Sequence, residues 1–257
     1  MKALVLAAGR GARLRPLTDY VPKPMLPVRG RPLLEWVLLP LRLAGVRDVV
    51  LAVSYLGDQI EGYFGDGARV GLRIAYSRGE RPAGKAGEIW RARSLLPQND
   101  EPYLVLPGDT LTDLDYGALL DFHRAHAGRA TVVLSPRYRL EVGLAEIDPA
   151  TARIVAWTEK PEIDRLVSTG AYVLTSSVTR AIERFGPDER EVDLPADVFP
   201  ALLAEGEALH GFVRDVAFWD IGRIDDYDRL LRADAGPAVE LLRRLEAATS
   251  ARTPRAA

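Results

Sequence analysis

Apolar runs rich in Val, Leu and Ile alternate with amphipathic stretches over the first half of the chain. Lys2–Leu6 reads as a buried strand, and residues 48–54 (DVVLAVS), 72–77 (LRIAYS) and 102–109 (PYLVLPGD) read as three more, the last ending at an aspartate. Between them Leu33–Leu43 reads as a helix that Pro40 should kink and that Ala44-Gly45-Val46 stops. Asp58–Phe64, Lys85–Leu96 and Tyr116–His126 also carry helical spacing. This alternation predicts an α/β fold, a mainly parallel sheet flanked by helices on both faces.

After Arg129 the texture changes. Residues 129–135, 142–148, 153–159 and 167–175 are four strand-like runs in quick succession, with Asp148-Pro149-Ala150-Thr151 as a hairpin turn. They predict a smaller strand-rich portion beside the main sheet. Helices return at Ser177–Arg184 and Leu194–Ala204, and a last strand (LHGFVRD, 209–215) leads to FWDIGR (218–223) and a helix at Ile224–Leu231. Neither a repeat nor a low-complexity linker interrupts the chain, so one domain over residues 1–235 is the economical reading. Residues 236–257 follow as a helix (237–248) and a frayed tail. Leucines 241, 242 and 245 suit packing on that domain or on a second subunit, so a homo-oligomer stays open.

Composition narrows the chemistry. At 257 residues the chain is at the upper end of what one core supports. A formal net charge of −2 gives no global basic field for nucleic acid or an anionic membrane. With no cysteine there is no disulfide, thiolate nucleophile or Cys-ligated zinc. Three histidines, His123 and His126 close together among them, do not make a His-rich metal site, so carboxylates must hold any metal. No apolar run is long enough to span a bilayer. The opening MKALVLAAG loosely imitates a signal peptide, but Arg10, Arg13 and Arg15 end it too early, and a cytoplasmic location is expected.

The stretch LVLAAGRGARLRPLTDYVPKPMLPVRG (4–30) is the first candidate for chemistry. It begins like a dinucleotide fingerprint, but Leu14 stands at the third glycine, and Pro16, Pro22, Pro24 and Pro27 forbid the long helix that should follow. A Walker loop fails too, because no Gly-Lys-Ser/Thr is present. A surface loop with turn-forming glycines and solvated arginines is the bland alternative. Position favours a site, since ligands of open α/β sheets bind beyond the carboxyl ends of the strands. Gly9 and Gly11 would let backbone N–H groups approach an oxyanion, Arg13 supplies a forked donor, and Lys23 adds a point charge between prolines. Such a loop suits a polyphosphate. Arg10 and Arg15 have no assigned task.

In its ordered motifs, LAAGRGARLRPLT followed by PKPMLPVRGRPLLEW, the chain resembles the nucleotidyltransferase family that joins a sugar 1-phosphate to a nucleoside triphosphate. The family pattern is roughly L-A-G-G-x-G-[ST]-R-L-x-P-x-T, then P-K-P-[ML] and G-x-P-[LM]; Ala12 departs from the usual Thr or Ser. The resemblance covers about residues 2–232 and implies a Rossmann-like catalytic domain in the short form, without a carboxyl-terminal β-helix. It implies a nucleotide-binding set of Leu6, Ala8, Gly9, Gly11, Arg13, Lys23, Arg81, Gly87 and Asp109. Arg81 belongs there with a difference: many relatives have a base-choosing glutamate before the proline, and here Glu80 is one place earlier. RPAGKAGEIWRA matches the family's P-L-G-T-A-G-A-L at Gly84, Ala86 and Gly87 but not at Lys85 or Glu88.

Magnesium favours one or two carboxylates plus substrate phosphates. Asp109 in LVLPGDT and Asp220 in AFWDIG are isolated strand-end aspartates of that kind. Either alone could be a cap or turn former, a role for which Asp113, before the helix at Tyr116, is the better candidate. The family's L-x-x-G-D and W-x-D-x-G-T segments fall at matching points, which implies Mg²⁺ on Asp109 and Asp220. Phe218, with Trp219 adjacent, and Arg223 replace the tryptophan and threonine. AWTEKPE (156–162) resembles F-x-E-K-P and implies Lys160 on the sugar phosphate and Glu159 on sugar hydroxyls, although an exposed Glu-Lys pair is ordinarily uninteresting. VSTGAYVL resembles V-N-[AS]-G-x-Y, with Gly170 and Tyr172 matching and Ser168 in place of asparagine; Gly143 takes the position of a sugar-facing glycine.

The implied reaction is in-line attack of a sugar 1-phosphate on an NTP α-phosphorus, expelling pyrophosphate. Its catalytic residues would be Arg13, Lys23, Asp109, Lys160 and Asp220, with no acid–base residue needed because the nucleophile is already an anion. The partners are then an NTP and a sugar 1-phosphate, with neither nucleic acid nor membrane. GTP with a mannose-like or heptose-like phosphate is favoured, and uridylyl or thymidylyl transfer stays open. A non-catalytic nucleotide-sensing paralogue is the alternative of another class. A metal-dependent glycosyltransferase would show Asp-x-Asp at the metal strand, which GDTLTD does not.

Overall fold

A computed structural model describes residues 1–136, 138, 140, 142–232 and 236–250. Seven strands form the main sheet: β1 (Lys2–Leu6), β2 (Asp48–Val53), β3 (Arg73–Arg78), β4 (Tyr103–Pro107), β5 (Ala130–Ser135), β6 (Val167–Leu174) and β7 (Leu209–Val213). Their spatial order is β7-β5-β6-β4-β1-β2-β3. All neighbours are parallel except β6, which runs antiparallel to both β4 and β5. The expected mainly parallel sheet is therefore present, with one reversed strand.

The helices are α1 (Leu33–Leu43), α2 (Gly57–Phe64), α3 (Gly84–Arg91), α4 (Tyr116–His126), α5 (Ser176–Ile182), α6 (Phe199–Ala204), α7 (Ile224–Arg232) and α8 (Pro237–Ser250). They cover both faces of the sheet, so the central strands are apolar on both sides. Ala3, Val5 and Leu51 face a core with Leu34, Leu38 and Phe64, whereas Leu4, Val50 and Ala52 face a core with Ile89, Trp90 and Val178. The two-residue alternation of strand side chains accounts for this division.

Several elements differ from the sequence reading in their ends. α1 runs on through Pro40, whose carbonyl accepts from Ala44 N–H at 2.9 Å. α3 closes at Arg91, and a 3₁₀ turn at Arg93–Leu95 replaces the last expected turn. The segment 194–204 opens as a π turn, Leu194–Val198, capped by Asp193, before α6. Two of the four strand-like runs become β5 and β6, because Val133 and Val173 are fully buried in the main core. The other two, Leu144–Ile147 and Ile154–Thr158, form a separate antiparallel ribbon with every residue exposed. Its turn is the expected one, with the Asp148 carboxylate accepting from Ala150 N–H at 2.8 Å.

A third core settles where the last helix packs. Leu241, Leu242 and Leu245 of α8 are buried beside Trp36 of α1 and Tyr227 and Leu230 of α7. The same core takes Leu14, Leu26 and Ile221, so it also anchors the glycine-rich loop and the segment after Asp220. Residues 251–257 of the expected tail, and 233–235 before α8, lie outside the described residues. No helix among the described residues is long and apolar enough to cross a membrane.

Candidate active site

Strands β1, β2 and β4 are parallel, so their carboxyl ends open on one edge of the sheet. The loop after β1 lies there as three 3₁₀ turns, Ala12–Leu14, Leu17–Asp19 and Lys23–Met25. Leu14, fully buried, pins the first turn. The loop is also tied to the next βα unit. Tyr55 OH donates to the Thr18 and Asp19 carbonyls at 3.1 and 2.9 Å, and Gln59 Nε2 donates to Tyr20 O at 2.7 Å. No local sequence signal identifies Tyr55 or Gln59, since their partners are backbone carbonyls 36 to 39 residues away.

Gly11 is the hinge of this loop. It sits at φ +62°, and its carbonyl accepts from Leu14 N–H and the Thr18 hydroxyl, both at 2.8 Å. A Cβ here would stand 3.0 Å from Thr18 Cγ2 and 3.1 Å from Lys23 Cβ. Gly11→Ala is thus expected to cost about 1–3 kcal/mol through left-handed strain and crowding. Because the crowding falls on Lys23, kcat should fall as well; thermal melting and steady-state kinetics check both.

Gly108 N–H donates to Leu6 O at 2.9 Å, which sets Asp109 beside the loop. Residues Thr110–Thr112 pair antiparallel with Phe218–Asp220, and Asp220 lies opposite Thr110. Two aspartates distant in sequence therefore meet. Between them stands Lys23, 8% exposed, with its Nζ 2.5 Å from Asp109 Oδ2 and 3.3 Å from Asp220 Oδ1. Fully buried Ile221 fixes the segment after Asp220, as Leu14 fixes Arg13. Arg13 comes to the same point: a Cβ on Gly222 would lie 3.3 Å from Asp220 Oδ2 and 3.7 Å from Arg13 Nη2.

These residues surround a cleft of about 260 Å³ lined by Leu6, Gly9, Gly11, Arg13, Lys23 and Asp109, together with Ala7, Ala12, Pro24 and Gly222. The donor set fits a small hard cation. Asp109 and Asp220 already converge on one positive atom, and both carboxylates keep a solvent-facing side, 32% and 55% exposed. No group of three or more metal-ligating side chains occurs among the described residues. Two carboxylates completed by water and phosphate oxygens suit magnesium.

Asp113 has a structural task, but not as the helix cap. Asp115 caps α4, accepting from Ala118 N–H at 3.0 Å. The Asp113 carboxylate instead accepts from Ala217 N–H at 2.8 Å and holds the approach to Asp220. Buried His123 is likewise structural: it shares a 2.9 Å hydrogen bond with Thr131, and burial holds its pKa below the usual imidazole value.

The remaining expected residues are not in the lining of this cleft. Ala8, between the lining residues Ala7 and Gly9, is buried at 6% exposure. Gly170, on β6, places its Cβ position 3.7 Å from Pro107, two residues before Asp109. Its N–H donates to Ser168 Oγ at 3.3 Å, so the serine in place of asparagine turns back on its own strand. On the ribbon, Trp157 Nε1 donates to Glu159 Oε2 at 3.3 Å, and a Cβ on Gly143 would lie 2.6 Å from the indole. Lys160 follows at φ +47°. The root of the ribbon is joined to the Asp220 strand: Leu140 N–H donates to Pro161 O, Ile163 N–H to Tyr138 O, and Tyr138 stacks on Phe218 at 6.3 Å. Tyr138 carries no motif that could reveal this. Arg81 donates to Asp188 O at 2.6 Å, and Gly87 N–H to Val192 O at 3.2 Å.

The nucleotidyl transferase family model matches residues 2–235. A mannose-1-phosphate guanylyltransferase of Mycobacterium tuberculosis is 40% identical over 236 residues, covering 88% of this chain and 62% of its own. A UTP–glucose-1-phosphate uridylyltransferase of Synechocystis sp. is 34% identical over 247 residues, covering 90% of this chain and 63% of its own. The chain thus spans somewhat less than two thirds of the length of these relatives. A Bacillus anthracis protein crystallised with sucrose has the same fold, with TM-score 0.71 and 22% identity over 93% of this chain and 99% of that one.

Proposed function

The chain belongs to the nucleotidyl transferase family, and on that premise we propose that it transfers a nucleotidyl group from an NTP to a sugar 1-phosphate. The observation that carries this reading is the meeting of Asp109, Asp220 and Lys23 at the mouth of the glycine-rich loop. Four or more negative oxygens crowd the reacting phosphorus in such a transfer. Fixed cations and aimed donors at that point are the chemistry it needs.

In the proposed mechanism the backbone of Gly9 and Gly11 approaches the triphosphate, and Arg13 and Lys23 hold its β- and γ-phosphates. Mg²⁺ on Asp109 and Asp220, when bound, offsets the negative charge of the α-phosphate. Lys160 aims the incoming phosphate and Glu159 reads sugar hydroxyls, Gly170 leaves room for the ring, and Gly143, on the same sugar side, leaves room for the Trp157 indole beside Glu159. The sugar-phosphate oxygen forms the new P–O bond as the bond to the β-phosphate breaks, and pyrophosphate leaves with that electron pair. Arg81 and Gly87 belong to the base side. The catalytic domain spans residues 1–235.

The Mycobacterium relative supports GTP with a mannose-like 1-phosphate, and a heptose-like phosphate presents the same reacting group; the Synechocystis relative supports uridylyl transfer. A panel of five NTPs against several sugar 1-phosphates, read by pyrophosphate release with Mg²⁺, tests the reading. Turnover with one pairing, favouring GTP, is expected. Nucleotide binding without turnover on any pairing would instead support a sensor.

A further inference from the structure

Glu88 is a charged side chain where the family motif has a small residue, and it is 4% exposed. Its Oε1 accepts from Ala83 N–H at 3.2 Å, and both its oxygens accept from Arg91 Nη1 at 2.9 Å. Arg91 Nη2 in turn donates to the Arg81 carbonyl at 3.3 Å. The Arg91 guanidinium fills the space beside Gly79, where a Cβ would lie 1.8 Å from Nη1. The pair therefore touches the loop 79–83 at Gly79, Arg81 and Ala83.

The rest of the loop is held as well. Gly79 N–H donates to Val53 O at 2.9 Å, and Val192 N–H to Ala83 O at 2.8 Å. Arg81 reaches the Asp188 carbonyl, and Trp90 Nε1 reaches the Asp188 carboxylate at 3.2 Å. β3 lies two strands from β1 and runs parallel with it, so this loop opens on the same edge as the phosphate loop. Two strand spacings put it roughly 10 Å from the end of β1. That separation is within reach of a nucleotide's base when its phosphates lie at Gly9 and Gly11.

The Glu88 side chain is 6% exposed and that of Arg91 26%, and burying a carboxylate for such a pair is a poor device for stability, since well-packed apolar side chains do as well or better. Burial pushes the Glu88 carboxyl up despite Arg91, so desolvation outweighs the attraction. The pair's hydrogen bonds outside α3 fall on the loop 79–83. We propose that Glu88 and Arg91 form a positioning clamp that holds the loop 79–83 in the shape that selects the base of the incoming NTP. The proposal rests on the nucleotidyl-transfer reading above.

The test uses Glu88→Gln and Arg91→Lys in the full chain. Glu88→Gln conserves size, and Arg91→Lys keeps the charge while losing the fork that reaches Glu88 with Nη1 and the Arg81 carbonyl with Nη2. Measurements are the melting temperature, kcat, KM for NTP and for sugar phosphate, and Kd for each of five nucleotides. The NTP KM should rise about 10-fold, a change of about 1.4 kcal/mol. The preference ratio between the first and second NTP should fall at least about 5-fold, with kcat and the sugar-phosphate KM within about twofold. Unchanged NTP affinity and preference in a folded variant overturns the clamp. So does a uniform loss of kcat and melting temperature with the preference intact, which marks a merely structural pair. If the wild type turns over no pairing, the Kd series still decides: lost base preference supports the clamp, and no nucleotide binding by the wild type overturns it.

Discussion

Asp109→Asn is expected to lower kcat by about 10³-fold in a protein that remains folded, the scale of losing a central electrostatic contact in a transition state. The exchange keeps size and hydrogen-bonding capacity but removes one of two carboxylates that would hold a divalent cation. It also removes the 2.5 Å ion pair to Lys23, leaving that buried ammonium with Asp220 alone at 3.3 Å. Binding of Mg²⁺ should weaken in parallel, and the circular dichroism spectrum should stay that of the wild type. Retention of full activity in the folded variant would remove Asp109 from the chemistry.

Lys23→Met has the second largest expected effect, a loss of about 10²-fold in kcat/KM, or about 2.7 kcal/mol. The methionine fills the buried stem, so packing against Pro24 and the Gly11 turn is kept. What disappears is the cation between two carboxylates. Two neighbouring carboxylates with no counter-ion between them repel each other. Added Mg²⁺ should therefore raise the melting temperature of Lys23→Met more than that of the wild type. Equal shifts in both proteins would mean that the two carboxylates do not act as one site.

β1, β2 and β4 were legible because each is a short apolar run, and a strand covered on both faces needs no polar face; β3, at the edge of the sheet, is legible instead by its alternation. The phosphate loop was legible for a similar reason: its glycines, arginine and lysine lie within 15 residues, from Gly9 to Lys23. Convergence was not. Lys23 and Asp109 are 86 residues apart, and Lys23 and Asp220 are 197 apart. The pairing of β1 with β4 sets Asp109 beside the loop, and the pairing of 110–112 with 218–220 brings Asp220 to it.

Local rules also failed to separate neighbours of like type. Asp113 and Asp115 both precede a helix; Asp115, directly before Tyr116, is the cap, and the Asp113 carboxylate accepts from Ala217 N–H across the fold. The leucines of α8 carry the same spacing whichever surface they cover, and only the shared core with Trp36 and Tyr227 decides for the domain. Tyr138 on Phe218 and Tyr55 under the phosphate loop are long-range contacts of ordinary aromatic residues, so no motif announces them.

Following two labels through one turnover tests the central claim most directly. The purified chain is incubated with Mg²⁺, a sugar 1-phosphate and the NTP it prefers, labelled at the α-phosphate in one reaction and at the γ-phosphate in another. The account predicts α-label in a nucleoside diphosphate sugar and γ-label in pyrophosphate, each dependent on the sugar phosphate. Label released as nucleoside monophosphate at the same rate without the sugar phosphate, or no release at all, would contradict it.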